Sequence, residues 1–120
     1  MSTFEPNYFV NPSERAAPSK QPPHALAFVG ELDISLAREV RDLLDTITVR
    51  AQIDLSQVRY VDARIIGEFV RLANRIAPEK VQLFGVQPQV RRIFEIVRLD
   101  QRFLLCDLPY YGPCFRKSFD

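Results

Sequence analysis

Several residue types are scarce in this chain of 120 residues, and each shortage narrows the functions open to it. The single histidine, His24, lies in the proline-rich first part of the chain, so the predicted folded region has no histidine for a Ser-His-Asp triad or a Cys-His pair. A lone histidine also has no partner ligand for a zinc site. The four glycines do not form a phosphate loop of either the GxGxxG or the GxxxxGK[ST] type. We therefore expect a protein that is not an enzyme and holds no cofactor and no metal.

The charge and the hydrophobic runs are also modest. A formal net charge of +1 does not favour binding to nucleic acid or to acidic membranes. The longest apolar run, Ala25 to Val29, is far shorter than a membrane span, and no secretory leader pattern precedes it. We expect a cytoplasmic protein without direct membrane insertion. Cys106 and Cys114 do not match a zinc spacing, so we expect free thiols, with a disulfide as the alternative.

Prolines set off the first part of the chain. Residues 1–24 contain five of the nine prolines, which remove backbone donors and disfavour long helices and central strands. This segment is predicted to be a proline-rich arm. The run at residues 8–10, Tyr-Phe-Val, is compatible with a short edge strand, and a free arm is the alternative.

Between residues 25 and 106, short apolar runs alternate with amphipathic segments. Strands are predicted at 25–29, 49–55, 81–86 and 103–106, with Ser56 as the turn residue that ends the second. Helices are predicted to begin at Ser35, Asp62 and Pro88, each with one apolar face. The alternation predicts an α/β fold, with three to four helices packed on a mixed sheet of four to five strands. Residues 107–120 are predicted to be a turn and tail.

Three aspartates lie where α/β proteins place functional sites, near strand ends or helix starts. Asp33, Asp54 and Asp62 offer carboxylates for a magnesium ion or for an acid/base pair. The alternative is that each one caps a helix or bonds locally in a loop. We favour this alternative, because the sequence places no nucleophile nearby.

The motifs, taken in order, resemble those of the STAS family, which includes sulfate-transporter tails and bacterial anti-sigma-factor antagonists. They are Gly-Glu-Leu-Asp-Ile-Ser at 30–35, Ile-Asp-Leu-Ser at 53–56 and Tyr-Val-Asp at 60–62, with further matches at 81–86, 88–95 and 99–103. The similarity covers about residues 25–106. It implies a single STAS-like domain whose role is to bind another protein.

The chain departs from the family at one position with a known role. In the antagonists, the residue after the loop aspartate receives a regulatory phosphate, commonly in an Asp-Ser-Ser-Gly or Asp-Ser-Thr-Gly setting. The corresponding residues here are Asp62, Ala63, Arg64 and Ile65, and alanine has no oxygen to accept phosphate. The resemblance thus implies a docking loop without its usual switch.

The resemblance also implies which residues contact the partner. Arg64 has a second interpretation, as an exposed member of a polar stripe with Arg71 and Arg75. The expected partner-binding residues are Asp33, Ser35, Asp62, Ala63, Arg64, Gly67, Glu68 and Arg71.

The expected partner is an anti-sigma factor of the switch-kinase type or another STAS protein. Two alternatives remain open. One is an accessory subunit that binds the ATPase of an ABC-type lipid transport system. The other is a sensor in which Arg64 and the helix start hold a nucleotide or another anion. A homodimer is also compatible with the sequence.

Overall fold

The computed structural model describes residues 24–48 and 50–119, so the edge strand expected at 8–10 lies outside the described residues. The elements follow the predicted alternation, with one additional strand at the end of the chain. In order they are β1 His24–Leu32, a 3-10 helix Ile34–Leu36, α1 Ala37–Leu44, β2 Ala51–Val61, α2 Ala63–Ile76, β3 Val81–Phe84, α3 Pro88–Ile96, β4 Phe103–Cys106 and β5 Phe115–Ser118.

The described strands form one sheet in the order β4-β3-β2-β1-β5, and its four pairings are parallel. The α/β class and the single sheet confirm the prediction, although these pairings are parallel where a mixed sheet was expected. Helical crossovers join β1 to β2, β2 to β3 and β3 to β4. Such crossovers are right-handed, and each one here moves the chain one strand further in the same direction across the sheet. All three helices therefore lie on one face of the sheet.

Strand β1 shows how the two faces of the sheet are covered. Leu26 and Phe28 point into the main core, which also holds the buried side chains of the three helices. Ala25 and Ala27 point to the opposite face, where they form a second cluster with Cys114 and Tyr110. Alternate residues of a strand face opposite sides, so both sides of β1 are buried. None of the described helices is long and apolar enough to cross a bilayer.

The last part of the chain differs from the predicted turn and tail. Strand β5 pairs with β1, from Leu26 opposite Phe115 to Val29 opposite Ser118. To reach β1 from β4, the chain must return across the sheet, and a right-handed return runs over the face opposite the helices. Residues 107–114, which we call the C-terminal strap, take this path. The strap has no periodic pattern, and for this reason the sequence did not reveal it.

Strand β2 is longer than predicted, and Ser56 lies inside it rather than at its end. The pairing moves from Ala27 opposite Asp54 to Val29 opposite Gln57, so β2 has one extra residue there, a bulge. Gly85 packs against this bulge with φ +67, and a Cβ on it would lie 2.7 Å from the Cβ of Ser56. Only glycine satisfies both conditions without strain.

Candidate docking site

Two aspartates begin helices where β1 and β2 end side by side. Asp33 is the N-cap of the 3-10 helix, and its Oδ1 accepts bonds from the backbone N–H of Ser35 at 2.9 Å and from Ser35 Oγ at 2.5 Å. Asp62 is the N-cap of α2, as predicted, and its Oδ1 accepts the backbone N–H of Arg64 at 2.8 Å. The predicted cap at Ser35 is wrong, because the aspartate two residues earlier takes that role.

The third aspartate, Asp54, lies on the second face of the sheet. Its Oδ1 accepts the backbone N–H of Ser56, and its Oδ2 accepts that of Tyr110. All three carboxylates therefore bond to nearby backbone N–H groups or to the strap, as expected for capping and loop roles. Within the described ranges, no group of three His, Cys, Asp or Glu residues could hold a metal ion.

Two exposed side chains beside the caps were not among the predicted site residues. Ile34 is 51% exposed and Tyr60 is 43% exposed. The Tyr60 hydroxyl donates to Asp62 Oδ2 at 3.4 Å. Partial burial, followed by the negative charges of Asp62 and Asp33, raises the pKa of Tyr60 above its ordinary value. The phenol therefore stays neutral at physiological pH and provides an apolar ring with a polar tip. For Ile34, the sequence signal that could have revealed its exposure is the position of an isoleucine directly after a capping aspartate.

Gly67 lies on the exposed side of α2, one turn after Ala63. A Cβ built at Gly67 would meet no atom within 4 Å. Glycine in a helix interior costs about 1 kcal/mol relative to alanine. Contacts among the described residues do not require this glycine, and its small size leaves a gap on the outer side of the helix.

Glu68 and Arg71 lie on the same helix but bond within the molecule. Arg71 Nη1 lies 2.9 Å from Asp45 Oδ1, and Arg41 Nε lies 3.7 Å from Glu68 Oε1. The second contact is an ion pair without a hydrogen bond, since Glu68 Oε1 is buried without a hydrogen-bond partner in the described part of the chain. The hydrogen bond from Arg71 holds the pKa of Asp45 below its ordinary value. These pairs join α1 to α2.

Arg64 differs from the other two arginines of α2. Arg75 donates to the backbone oxygens of Ile47 at 2.7 Å and Leu44 at 3.0 Å, and Arg71 binds Asp45. The Arg64 side chain is exposed and makes no hydrogen bond or ion pair with the described residues. Arg64 is therefore the arginine of α2 whose charge is left for a group outside this part of the chain.

We call this surface the docking corner. The 3-10 helix packs against α2, and Asp62 N donates to Leu32 O at 2.9 Å, so the two helix starts are held together. The corner combines capped helix starts, one unpaired guanidinium, two exposed apolar side chains and an open gap. Its members are Asp33, Ile34, Ser35, Tyr60, Asp62, Ala63, Arg64 and Gly67.

Comparisons with known proteins agree with this fold. A family model described as "Mlab, STAS domain" matches residues 17–107, which include β1 to β4 but not β5. The structure is similar to that of the anti-sigma factor antagonist SpoIIAA in its unphosphorylated form, with a TM-score of 0.55. The two chains are 14% identical, and the match covers 72% of this chain and 82% of that one. A search of curated proteins finds no match. The predicted family and fold are confirmed.

Proposed function

The chain belongs to the STAS domain family, and on that premise we propose that it is a non-catalytic interaction module of bacterial signalling. It resembles the anti-sigma-factor antagonists, acts in the cytoplasm and binds its protein partner through the docking corner. The observation that carries this proposal is the state of Arg64, which is exposed and pairs with none of the described residues, in a corner that also exposes Ile34 and Tyr60. Such a surface suits a partner with a carboxylate for the guanidinium and apolar groups for its neighbours.

The helix caps support docking because they make the corner rigid before a partner arrives. Asp33 and Asp62 each bond to a backbone N–H two residues later, which fixes the start of each helix. A pre-ordered surface loses less conformational entropy on binding than a mobile one. Mixed charges around apolar groups favour a specific, electrostatically matched complex over a purely apolar interface.

Ala63 gives this module its distinctive property. A phosphate at a helix start adds about −1.5 to −2 charges and three strong acceptors, which is enough to remake an interface. Alanine cannot accept one, and the nearby Ser35 hydroxyl already donates to Asp33. We infer that docking here is always available or is controlled by another means.

The first test of this proposal is recovery of the partner with matched variants. The tagged protein is purified from its own cell beside Arg64→Glu and Arg50→Glu. Arg50 is also exposed but precedes β2, at the opposite end of the strand from the docking corner. An anti-sigma factor or a STAS protein bound by the wild type and by Arg50→Glu, but lost from Arg64→Glu, is the expected result. Equal recovery by all three proteins argues against the docking corner.

The phosphorylation proposal has its own test. The protein is incubated with ATP and candidate switch kinases, and its peptides are mapped by mass spectrometry. We expect residues 62–67 to remain unmodified. A phosphopeptide that maps to this segment would disprove the loss of the switch.

A second candidate function is the accessory subunit of an ABC-type lipid transport system. The description of the matching family model favours it, because that description names Mlab and not an anti-sigma factor. The same purification separates the two candidates, since this function predicts recovery of an ABC ATPase. If neither partner is recovered and a nucleotide raises the melting temperature, a sensor of nucleotides or anions becomes the better account.

A further inference from the structure

The two edge strands of the sheet differ in how well they are protected. β5 carries Arg116 and Lys117, and charged residues on an edge strand hinder pairing with another chain. β4 has the sequence Phe-Leu-Leu-Cys and contains no charge, proline or glycine. Among the described residues, none pairs with the outer side of β4. This is the edge on which another strand can add.

The backbone of β4 shows which groups face the open edge. The carbonyl of Cys106 accepts the N–H of Gly85 at 2.8 Å and therefore points toward β3. Successive residues of a strand alternate in direction, so Leu104 also points toward β3, while Phe103 and Leu105 direct their N–H and C=O groups outward. The open edge thus presents two donors and two acceptors.

Exposed apolar side chains accompany this edge. Leu104, on the second face of the sheet, is 46% exposed. Ile96 and Val97, where α3 ends, and Leu108, just after β4, are 70%, 43% and 67% exposed. Among the described residues, most of the large apolar side chains exposed outside the docking corner are thus close to β4 in the sequence.

We propose that β4 pairs with β4 of a second copy of this chain, antiparallel and about a two-fold axis at Leu104. In this register Phe103 lies opposite Leu105 of the second copy, and Leu105 lies opposite its Phe103. Both pairs are formed by outward-pointing groups, so every free donor meets a free acceptor. Leu104 then lies beside Leu104 of the second copy, on the second face of the sheet. The two five-stranded sheets join into one.

Charge favours a second copy over an unrelated strand. Arg102 precedes β4 and Asp107 follows it, and the strand between them is neutral. Antiparallel pairing brings the Arg102 end of one copy to the Asp107 end of the other, twice by symmetry. Asp107 is well exposed, and its ion pair with Arg91, at 3.3 Å, leaves room for a second cation. The strand is short, so we expect a weak dimer that dissociates on dilution.

Sedimentation velocity from low micromolar to near-millimolar concentration tests the proposal. The wild type should shift from monomer to dimer as its concentration rises. Leu104→Lys should stay monomeric, because a lysine on the edge opposes pairing. Leu104 is half exposed, so circular dichroism and the melting temperature should change little. Ile34→Lys, at the docking corner, is the matched control and should dimerise like the wild type.

Crosslinking tests the register. In a Cys106→Ser background, Leu104→Cys should form a covalent dimer under mild oxidation, because the paired Cα atoms would be about 4.5 Å apart. Leu108→Cys should not, since position 108 would lie opposite position 100 of the second copy. A monomer at every concentration, a dimer that survives Leu104→Lys, or crosslinking at 108 but not at 104 would overturn the proposal. These results are independent of docking at the corner, which Ile34→Lys addresses separately.

Discussion

Asp54 accepts the backbone N–H of Tyr110 through Oδ2 at 2.9 Å, which joins residues 56 positions apart. Its other oxygen, Oδ1, accepts the N–H of Ser56 at 2.7 Å, where the bulge of β2 removes that group from the ladder. Asp54 is 3% exposed, and it is the only charged residue that is buried among those described. One carboxylate therefore stabilises both the bulge and the path of the C-terminal strap.

Replacement of Asp54 should destabilise the fold and loosen the strap. Asp54→Ala leaves two partly buried N–H groups without an acceptor, at about 1–3 kcal/mol each. We expect a loss of about 2–4 kcal/mol in the free energy of unfolding by urea denaturation, together with faster hydrogen exchange at Tyr110. Asp42→Ala, at an exposed position of α1, is the control. A change for Asp54→Ala of only about 0.5 kcal/mol, as at ordinary surface sites, would contradict this role.

The ion pair between Arg71 and Asp45 should make stability depend on pH in the acidic range. Arg71 lowers the pKa of Asp45 in the folded state below its ordinary value of 3.8. The stabilisation is therefore present above that value and is lost as the pH falls through the lower pKa of the folded state. Arg71→Gln should lower the urea midpoint at neutral pH and make less difference in strong acid.

Arg50→Gln is the control for this comparison, because Arg50 is exposed and forms no ion pair with the described residues. The wild type and this control should differ little at either pH. A gap between the wild type and Arg71→Gln that stays constant from neutral pH into strong acid would show that packing, not charge, accounts for the Arg71 contribution.

Two substitutions at Gly67 separate an effect on folding stability from an effect on docking. Gly67→Ala should raise the free energy of unfolding by about 0.5–1 kcal/mol, because alanine favours the helix and its Cβ meets open space. Gly67→Trp should fold but fill the gap and weaken binding of the recovered partner. Glu79→Trp, in the exposed turn after α2, controls for the added ring. Undiminished binding by Gly67→Trp would place the partner elsewhere.

The two cysteines should react at different rates in the folded protein. Burial raises the pKa of the Cys114 thiol, which is 4% exposed, whereas Cys106 is partly exposed. Since the thiolate is the reactive form, iodoacetamide at mildly alkaline pH should modify Cys106 first. Mass spectrometry of peptides follows both sites. Denaturant should remove the difference, and Asp54→Ala should speed modification of Cys114. Equal rates in the native state would contradict the burial of Cys114.

The best predictions from sequence were local ones. Asp62 begins α2 and Pro88 begins α3, as expected, because a cap or a first-turn proline acts on backbone groups within one turn. The apolar face of α2 is buried as its spacing predicts, from Ile65 to Ile76. In such segments the interacting partners lie three or four residues apart, so the pattern itself contains the information.

The predictions that failed depended on partners far away in the sequence. Ser56 looked like a turn residue, but Asp54 and Gln87 satisfy its backbone groups inside a bulged strand. Residues 115–118 looked like tail, and they become a strand only because the edge of β1 is open to them. No periodicity marks a four-residue strand whose ladder partner lies almost ninety residues earlier.

Part of the predicted set of site residues lies together in the structure. Asp33, Asp62, Ala63, Arg64 and Gly67 do lie near the adjoining helix starts, whereas Glu68 and Arg71 form ion pairs with α1. That these residues bind a partner remains a prediction. Ile34 and Tyr60 were missed, because their exposure depends on which side chains happen to cover them.

The sequence by itself determined the STAS family, the order of strands and helices through β4, and the absence of a hydroxyl at position 63. These follow from local spacing and from the identity of single residues. Only the tertiary structure decided that the strap closes the second face. Within the described residues, it also decided that Arg64 alone among the α2 arginines is unpaired and that no strand covers the edge of β4. Each of these features depends on how segments that are distant in the chain come together in space. Burial of apolar groups and pairing of polar groups determine that arrangement.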